Sequence, residues 1–139
     1  IGSGCIQAAG LDDVLAHKRK ADITFAELMQ IMHQATGMIF DGILYENREL
    51  LRAGTHLLEN HPAPSKGPGV AIIPERREAF KNVMPTYDEL FHGAVDRIEV
   101  AAEKGNWQEA YAGYREITDA CVTCHVAWRP FAVSRQPRP

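Results

Sequence analysis

The chain has 139 residues, of which 45% are hydrophobic and 24% charged, and its formal net charge is −3. That length fits one domain with a single core, and the acidic balance excludes a nucleic-acid-binding protein, because no basic stripe is available for phosphate contacts. The apolar runs are too short for a transmembrane segment. We divide the chain into a tail or helix extension at 1–21, a folded domain at 22–131 and a C-terminal tail at 132–139.

The first predicted helix begins at a capping-box pattern. Thr24 is followed three residues later by Glu27, a spacing that lets each side chain pair with the other residue's backbone N–H. Residues 11–21 could extend this helix upstream. Its apolar positions recur at helical spacing, and they are Phe25, Leu28, Met29, Met32, Ile39 and Ile43.

The second predicted helix runs from about Asn47 to Asn60. The sequence His-Pro-Ala-Pro at 61–64 ends it, because the residue before a proline avoids helical backbone angles. A stretch rich in Pro and Gly follows over 62–74, and it predicts a crossover between two helices.

The third predicted helix opens at Pro74, since a proline in the first helical turn loses no hydrogen bond. Its apolar stripe runs to Ala101, and Gly105 ends it. Pro85 lies inside this stripe and predicts a kink, because proline cannot donate to the preceding turn.

The fourth predicted helix starts at Asn106, an N-cap residue with Glu109 three positions on, and ends at Pro130. No segment alternates apolar and polar residues long enough to predict a strand. Four amphipathic helices without strands predict an all-α fold, specifically an antiparallel four-helix bundle.

The last turns of the fourth helix carry Cys121, Cys124 and His125 in the pattern C-x-x-C-H. This spacing allows two thioether bonds to a haem and places an imidazole next to its iron. Positions i, i+3 and i+4 of a helix share one face, so all three side chains can meet one macrocycle. A redox dithiol would need a βαβ unit, and a zinc site a second Cys or His pair; the sequence offers neither. We therefore predict one covalent haem c, and a periplasmic location, because such attachment normally follows export.

Cys5 is left over from this motif. It follows Gly2, Ser3 and Gly4, small residues of the kind that precede a lipoprotein cysteine. A lipid anchor at Cys5, which would tie the protein to a membrane, is one interpretation. An ordinary thiol in the tail is the other.

The position of the haem motif on the last helix resembles the class II cytochromes c, the cytochrome c-prime family. The resemblance covers about 25–129 and is strongest over 101–129, where an Ala-rich helix end, a turn, the haem helix and an aromatic–Arg pair follow one another. It implies a four-helix bundle with the haem on the C-terminal helix. Two copies often pair through the first two helices in that family, so the resemblance also allows a homodimer.

In that family the residue over the open side of the iron comes from the first helix, well before the polar turn that leads to the second. Counting back from the turn at 44–47, the resemblance puts Met29 at this position. Low-spin members carry a methionine there, and a His/Met pair raises the reduction potential into a range suited to electron transfer. Met32 shares the face and is the main competitor. His33 would be a stronger ligand, but it lies about one position off the stripe.

Three further residues are predicted to contact the haem. Phe25 stands where many family members carry an arginine that approaches a propionate, so that charge pairing is lost here. Trp128 is predicted to pack on the haem or on the bundle core. Arg129 matches an arginine near the proximal haem face, although a solvated charge at the helix C-terminus explains it equally well.

These features predict an electron-transfer protein, not an enzyme, whose partners are other redox proteins. No Ser/His/Asp or Cys/His set and no Gly-rich phosphate loop competes with this interpretation. Two alternatives stay open. The protein could bind NO or CO at a five-coordinate iron, or it could be the haem subunit of a larger oxidoreductase.

Overall fold

The computed structural model describes residues 19–135, and about 80% of these residues are helical. This confirms the all-α prediction. The part described contains four α-helices, α1 Phe25–Leu44, α2 Arg48–Glu59, α3 Arg77–Glu103 and α4 Trp107–Trp128, and four short 3-10 turns, Pro68–Ala71, Pro74–Arg76, Arg129–Phe131 and Val133–Arg135.

The capping box at the start of α1 is confirmed. The Thr24 hydroxyl accepts a hydrogen bond from the Glu27 N–H at 3.1 Å, and the Glu27 carboxylate accepts one from the Thr24 N–H at 2.6 Å. Hydrogen bonds from the Thr24 backbone and side chain hold the pKa of Glu27 below its ordinary value.

The predicted starts of α2 and α4 are also confirmed. The Asn47 side chain accepts from the Leu50 N–H at 3.0 Å, and the Asn106 side chain accepts from the Glu109 N–H at 3.2 Å. Each asparagine therefore satisfies one of the backbone donors that a helix N-terminus leaves unpaired.

Three details of the prediction differ from the structure. Helix α3 begins at Arg77, because Pro74–Arg76 forms a separate 3-10 turn. Two short parallel strands were missed, β1 Lys20–Ala21 and β2 Ala63–Pro64. Residues 19–21 are consequently not an extension of α1.

The remaining upstream residues of that extension, 11–18, lie outside the described residues, as does Cys5. Within 19–135, no helix combines the length and the apolar character needed to cross a bilayer.

The helices pack most closely as two pairs, α1 with α2 and α3 with α4, while α1–α4 and α2–α3 contacts are sparser. Glycines bring α1 and α2 into close approach. A Cβ atom on Gly42 would lie 2.7 Å from Leu51 Cβ, and one on Gly54 would lie 2.8 Å from Ile39 Cγ1. Real atoms cannot approach so closely, so only glycine fits these positions.

We call residues 35–58 and 94–120 the closed half. Every helix segment here carries buried residues at regular intervals, and Ile39, Leu51 and Ile98 are completely inaccessible to solvent. The buried side chains of this half form one continuous core cluster.

We call residues 25–34, 77–93 and 121–128 the motif half, because it contains the haem motif. Only Leu28 and Phe80 are buried here, and the other apolar side chains are half-buried or exposed. The interior contacts of the protein are therefore less complete around the motif than in the closed half.

Backbone pairing closes the end of the molecule beyond the motif half. The Ala63 N–H donates to the Arg19 carbonyl at 2.9 Å, which joins β2 to β1. The Ile73 N–H donates to the Phe131 carbonyl at 3.0 Å. The crossover between α2 and α3 is thereby tied to both the segment before α1 and the segment after α4.

Candidate haem site

The site begins with the last two turns of α4. Cys121 and Cys124 are both half-buried, and His125 is exposed. Cys121 packs against the hydrophobic core cluster. The helix therefore turns its two thiols towards neighbouring helices and leaves the imidazole at the edge of the site.

Burial raises the pKa of both thiols, and for Cys124 the nearby Cys121 raises it further. A redox-active C-x-x-C pair has the opposite property, since its attacking thiol has a lowered pKa and usually lies at a helix N-terminus. Here the pair lies near the C-terminus of a 22-residue helix. Both the position of this pair and the direction of its pKa change therefore differ from those of a redox-active dithiol.

Tyr87 of α3 is a site residue that the sequence analysis did not single out. Burial is the largest cause that raises the pKa of Tyr87. The charge of Cys124 and a side-chain hydrogen bond with Cys124 raise it further. That same hydrogen bond lowers the pKa of Cys124. In the sequence, Tyr87 is only one member of an apolar stripe. Its contact with Cys124 depends on the pairing of α3 with α4.

Aromatic contacts fix the register of α1 against α4. Phe40 of α1 stacks on Tyr114 of α4 with ring centroids 5.2 Å apart and planes 14° from parallel. Nearer the other end, Phe25 of α1 and Trp128 of α4 both contact Phe80, at 6.1 Å and 5.1 Å. Because late residues of one helix meet early residues of the other, α1 and α4 run antiparallel.

This register bears directly on Met29. It lies eleven residues before Phe40, and His125 lies eleven residues after Tyr114. Eleven residues are about three helical turns, so each residue projects from nearly the same side of its helix as the stacked ring. Met29 and His125 are therefore at the same level along the antiparallel pair, and Met32 is level with the residue next to Cys121.

The other sequence-predicted residues are placed as follows. Met29 and Met32 are half-buried, and Met32 packs against the core cluster that also contacts Cys121. His33 is exposed, in agreement with its position off the stripe. Arg129 is exposed at the end of α4.

Phe25 and Trp128 belong to an aromatic cluster beyond the thiols. Trp128 contacts Phe80 and also Phe131, with ring centroids 6.3 Å apart. The guanidinium carbon of Arg76 lies 4.5 Å from the centre of the Phe131 ring. These rings separate the motif half from the end of the molecule.

The donors present fit a covalent haem by their chemistry. Two thiols and an imidazole lie at the spacing that attachment requires, and α1 contributes thioether sulfurs of the kind that bind haem iron. Residues 19–135 contain no group of three His, Cys, Asp or Glu side chains that could hold a bare metal ion.

No protein-family model matches the chain, and neither a curated protein nor a solved structure does. The resemblance to class II cytochromes c therefore stays a prediction, which rests on the motif and its place on the last helix.

Proposed function

We propose that this protein is a one-electron carrier that holds one covalent haem c in an antiparallel four-helix bundle. The observation that carries the proposal is the relation between two helices. Helix α4 presents Cys121, Cys124 and His125 at haem-attachment spacing, and the α1–α4 register puts Met29 at the level of His125. Attachment to thiols normally follows export, which supports a periplasmic location.

Each residue has a distinct role in this proposal. Cys121 and Cys124 would hold the haem through thioether bonds, and His125 and Met29 would bind its iron. When bound, the haem supplies an iron that alternates between the ferrous and ferric states. With both His125 and Met29 binding the iron, no position would be left for a substrate or gas, which favours a carrier over a gas-binding protein.

The packed surroundings support the same roles. Phe80 is buried and contacts both Phe25 and Trp128, so that these rings shield one end of the site from water. A less solvated site favours the ferrous state, because it carries the smaller net charge. Arg129 lies outside this shield and is available to a propionate or to solvent.

The first test is covalent attachment. We expect the haem to stay with the polypeptide through acid–acetone extraction, since thioether bonds survive conditions that remove a haem held only by iron ligation. Haem in the organic phase would overturn the proposal.

The second test is the identity of the distal ligand. Met29→Leu should open the iron to CO and abolish the weak near-infrared charge-transfer band of the oxidised His/Met site. Leucine keeps most of the volume, so the fold should survive with a loss of under about 1.5 kcal/mol. Met32→Leu is the matched control, because Met32 lies one turn away on the same face of α1 and should leave both properties unchanged.

The outcomes of this pair separate the alternatives. If Met32→Leu removes the band and Met29→Leu does not, the ligand is one turn further along α1. If the unaltered protein already binds CO and has a broad high-spin spectrum, the iron is five-coordinate and the gas-binding alternative replaces the carrier.

A further inference from the structure

Charged side chains are unevenly distributed over the described structure. We call residues 19–22, 62–81 and 129–135 the basic end; it carries eight Lys and Arg against three Asp and Glu, a net charge of +5. The other described residues, 23–61 and 82–128, carry five against thirteen, a net charge of −8. The overall balance of −3 therefore conceals two opposed regions.

The three segments of the basic end form one surface. Strand pairing joins Arg19 to Ala63, and a backbone hydrogen bond joins Ile73 to Phe131. Arg76 covers the Phe131 ring, so that it links the start of α3 to the segment after α4. Residues that are distant in the sequence thus contribute their charges to one face.

The positive charges of this face are available to a partner. All its Lys and Arg side chains are exposed except Arg77, which is half-buried. The ion pairs among residues 19–135 involve Arg52, His92 and Arg97, all outside the basic end. None of these pairs between described residues involves a Lys or Arg of the basic end.

A small apolar area lies within the same surface. The turns Pro68–Ala71 and Val133–Arg135 contact one another, and they carry Val70 and Val133 with 47% and 46% of their surfaces exposed. An apolar centre with a charged rim is the usual composition of a transient protein interface. Two valines are too little apolar surface to insert into a lipid bilayer.

We propose that the basic end is the docking surface for a redox partner protein with an acidic surface. The inference rests on the proposed function, because that function requires a partner close to the haem. Arg129 lies one helical turn after His125, so a partner on this face would lie beside the motif half. Opposite charges would accelerate encounter and orient it, even though both proteins are acidic overall.

Binding to immobilised poly-L-glutamate tests the charge complementarity without requiring electron transfer. We expect the holoprotein to bind at about 10 mM salt and to be released at about 200 mM, because salt screens the attraction between the basic end and the glutamate carboxylates. The triple variant Lys20→Glu, Lys66→Glu, Arg135→Glu should lose at least about tenfold in affinity.

The control is Arg52→Glu, Lys104→Glu, Arg115→Glu, which changes the net charge by the same amount outside the basic end. It should bind poly-L-glutamate nearly as well as the unaltered protein. Equal losses in the two triple variants would overturn the inference, because they would show a response to total charge and not to one surface.

Oxidation by ferricyanide links this surface to the haem. One electron passes from the reduced protein to ferricyanide, a trianion, and ferrocyanide is formed. We expect the rate to fall about tenfold as salt rises, although the protein is acidic overall, and the basic-end variant should lose this dependence. A rate that rises with salt in the unaltered protein would overturn the inference.

Two further outcomes separate the possible errors. Binding to phosphatidylglycerol vesicles at about 150 mM salt, without binding to poly-L-glutamate, would replace the protein partner by a membrane surface and overturn the inference. If the unaltered protein is isolated without haem but binds poly-L-glutamate through the basic end, the proposed carrier function is overturned and only the docking surface is supported.

Discussion

The closed half and the motif half share α1, α3 and α4 but bury their side chains to different extents. In the closed half, Gly42 and Gly54 bring α1 and α2 close together, and aliphatic side chains complete the core. In the motif half, sulfur and aromatic side chains around Cys121 and Cys124 are mostly half-buried. The difference teaches that α1, α3 and α4 each complete the core along one part of their length and leave it less complete along the part next to the C-x-x-C-H motif. A macrocycle held by the two cysteines would supply the apolar contacts that the motif half makes only in part.

The largest expected effect comes from removing the haem attachment. In the proposed holoprotein, Cys121→Ala, Cys124→Ala should abolish haem retention and raise amide hydrogen exchange at 81–91 and 121–128 by about a hundredfold or more. Amides of the closed half should keep most of their protection. The control is Thr123→Ala, Val126→Ala, two exposed positions on the same helix. Uniform exchange across both halves would show that the comparison is wrong.

The second prediction concerns the close approach of α1 and α2. Gly54→Ala should destabilise the protein by about 2 kcal/mol, because its Cβ would overlap Ile39 and the backbone of Ala35. Gly37→Ala on α1 meets nothing within 4 Å and should stabilise by about 0.5–1 kcal/mol, the usual gain in a helix interior. Chemical denaturation measures both, and a similar change in the two variants would contradict close packing as the cause.

The third prediction tests the α1–α4 register from within the closed half. A double-mutant cycle with Phe40→Leu and Tyr114→Leu should give a coupling free energy of about 1 kcal/mol, because the rings stack directly. Pairing Phe40→Leu with Phe131→Leu, which lies at the other end of the molecule, should give additive losses. Additivity in the first cycle would remove the register argument that puts Met29 level with His125.

The smallest effect is expected at the start of α1, in the motif half. The folded-state pKa of Glu27 is lowered from 4.5, so its contribution to stability is present above that pH and is lost as the pH falls through the lowered value. Glu27→Gln should therefore differ from the unaltered protein near neutral pH, and the difference should shrink in acid. Thermal unfolding as a function of pH measures this difference. Thr24→Ser, which keeps the cap, should retain the pH dependence of the unaltered protein.

Local chemistry made the helix starts predictable. Thr24, Asn47 and Asn106 each cap their own helix through a hydrogen bond to a residue three positions on, so the signal lies within one turn. The start of α3 was harder, because Pro74 favours a 3-10 turn as readily as the first turn of an α-helix.

Features that depend on distant parts of the chain could not be predicted in this way. Tyr87 meets Cys124 only because α3 pairs with α4, and a spacing pattern within α3 carries no information about that partner. The strands at 20–21 and 63–64 are too short to show any alternation. The basic end could not be predicted for the same reason, since the net charge of the chain averages over regions that folding separates.

The pairing of β1 with β2 makes the segment before α1 a part of the folded structure. The N–H groups of Ala63 and Ser65 donate to the carbonyls of Arg19 and Ala21, and Ala63 is buried. A chain shortened to begin at residue 22 would lose both acceptors, and a buried N–H without a partner costs about 1–3 kcal/mol. A stable fragment of this protein must therefore start ahead of its first helix, and a protease that cuts after Lys20 would loosen the crossover on the far side of α2.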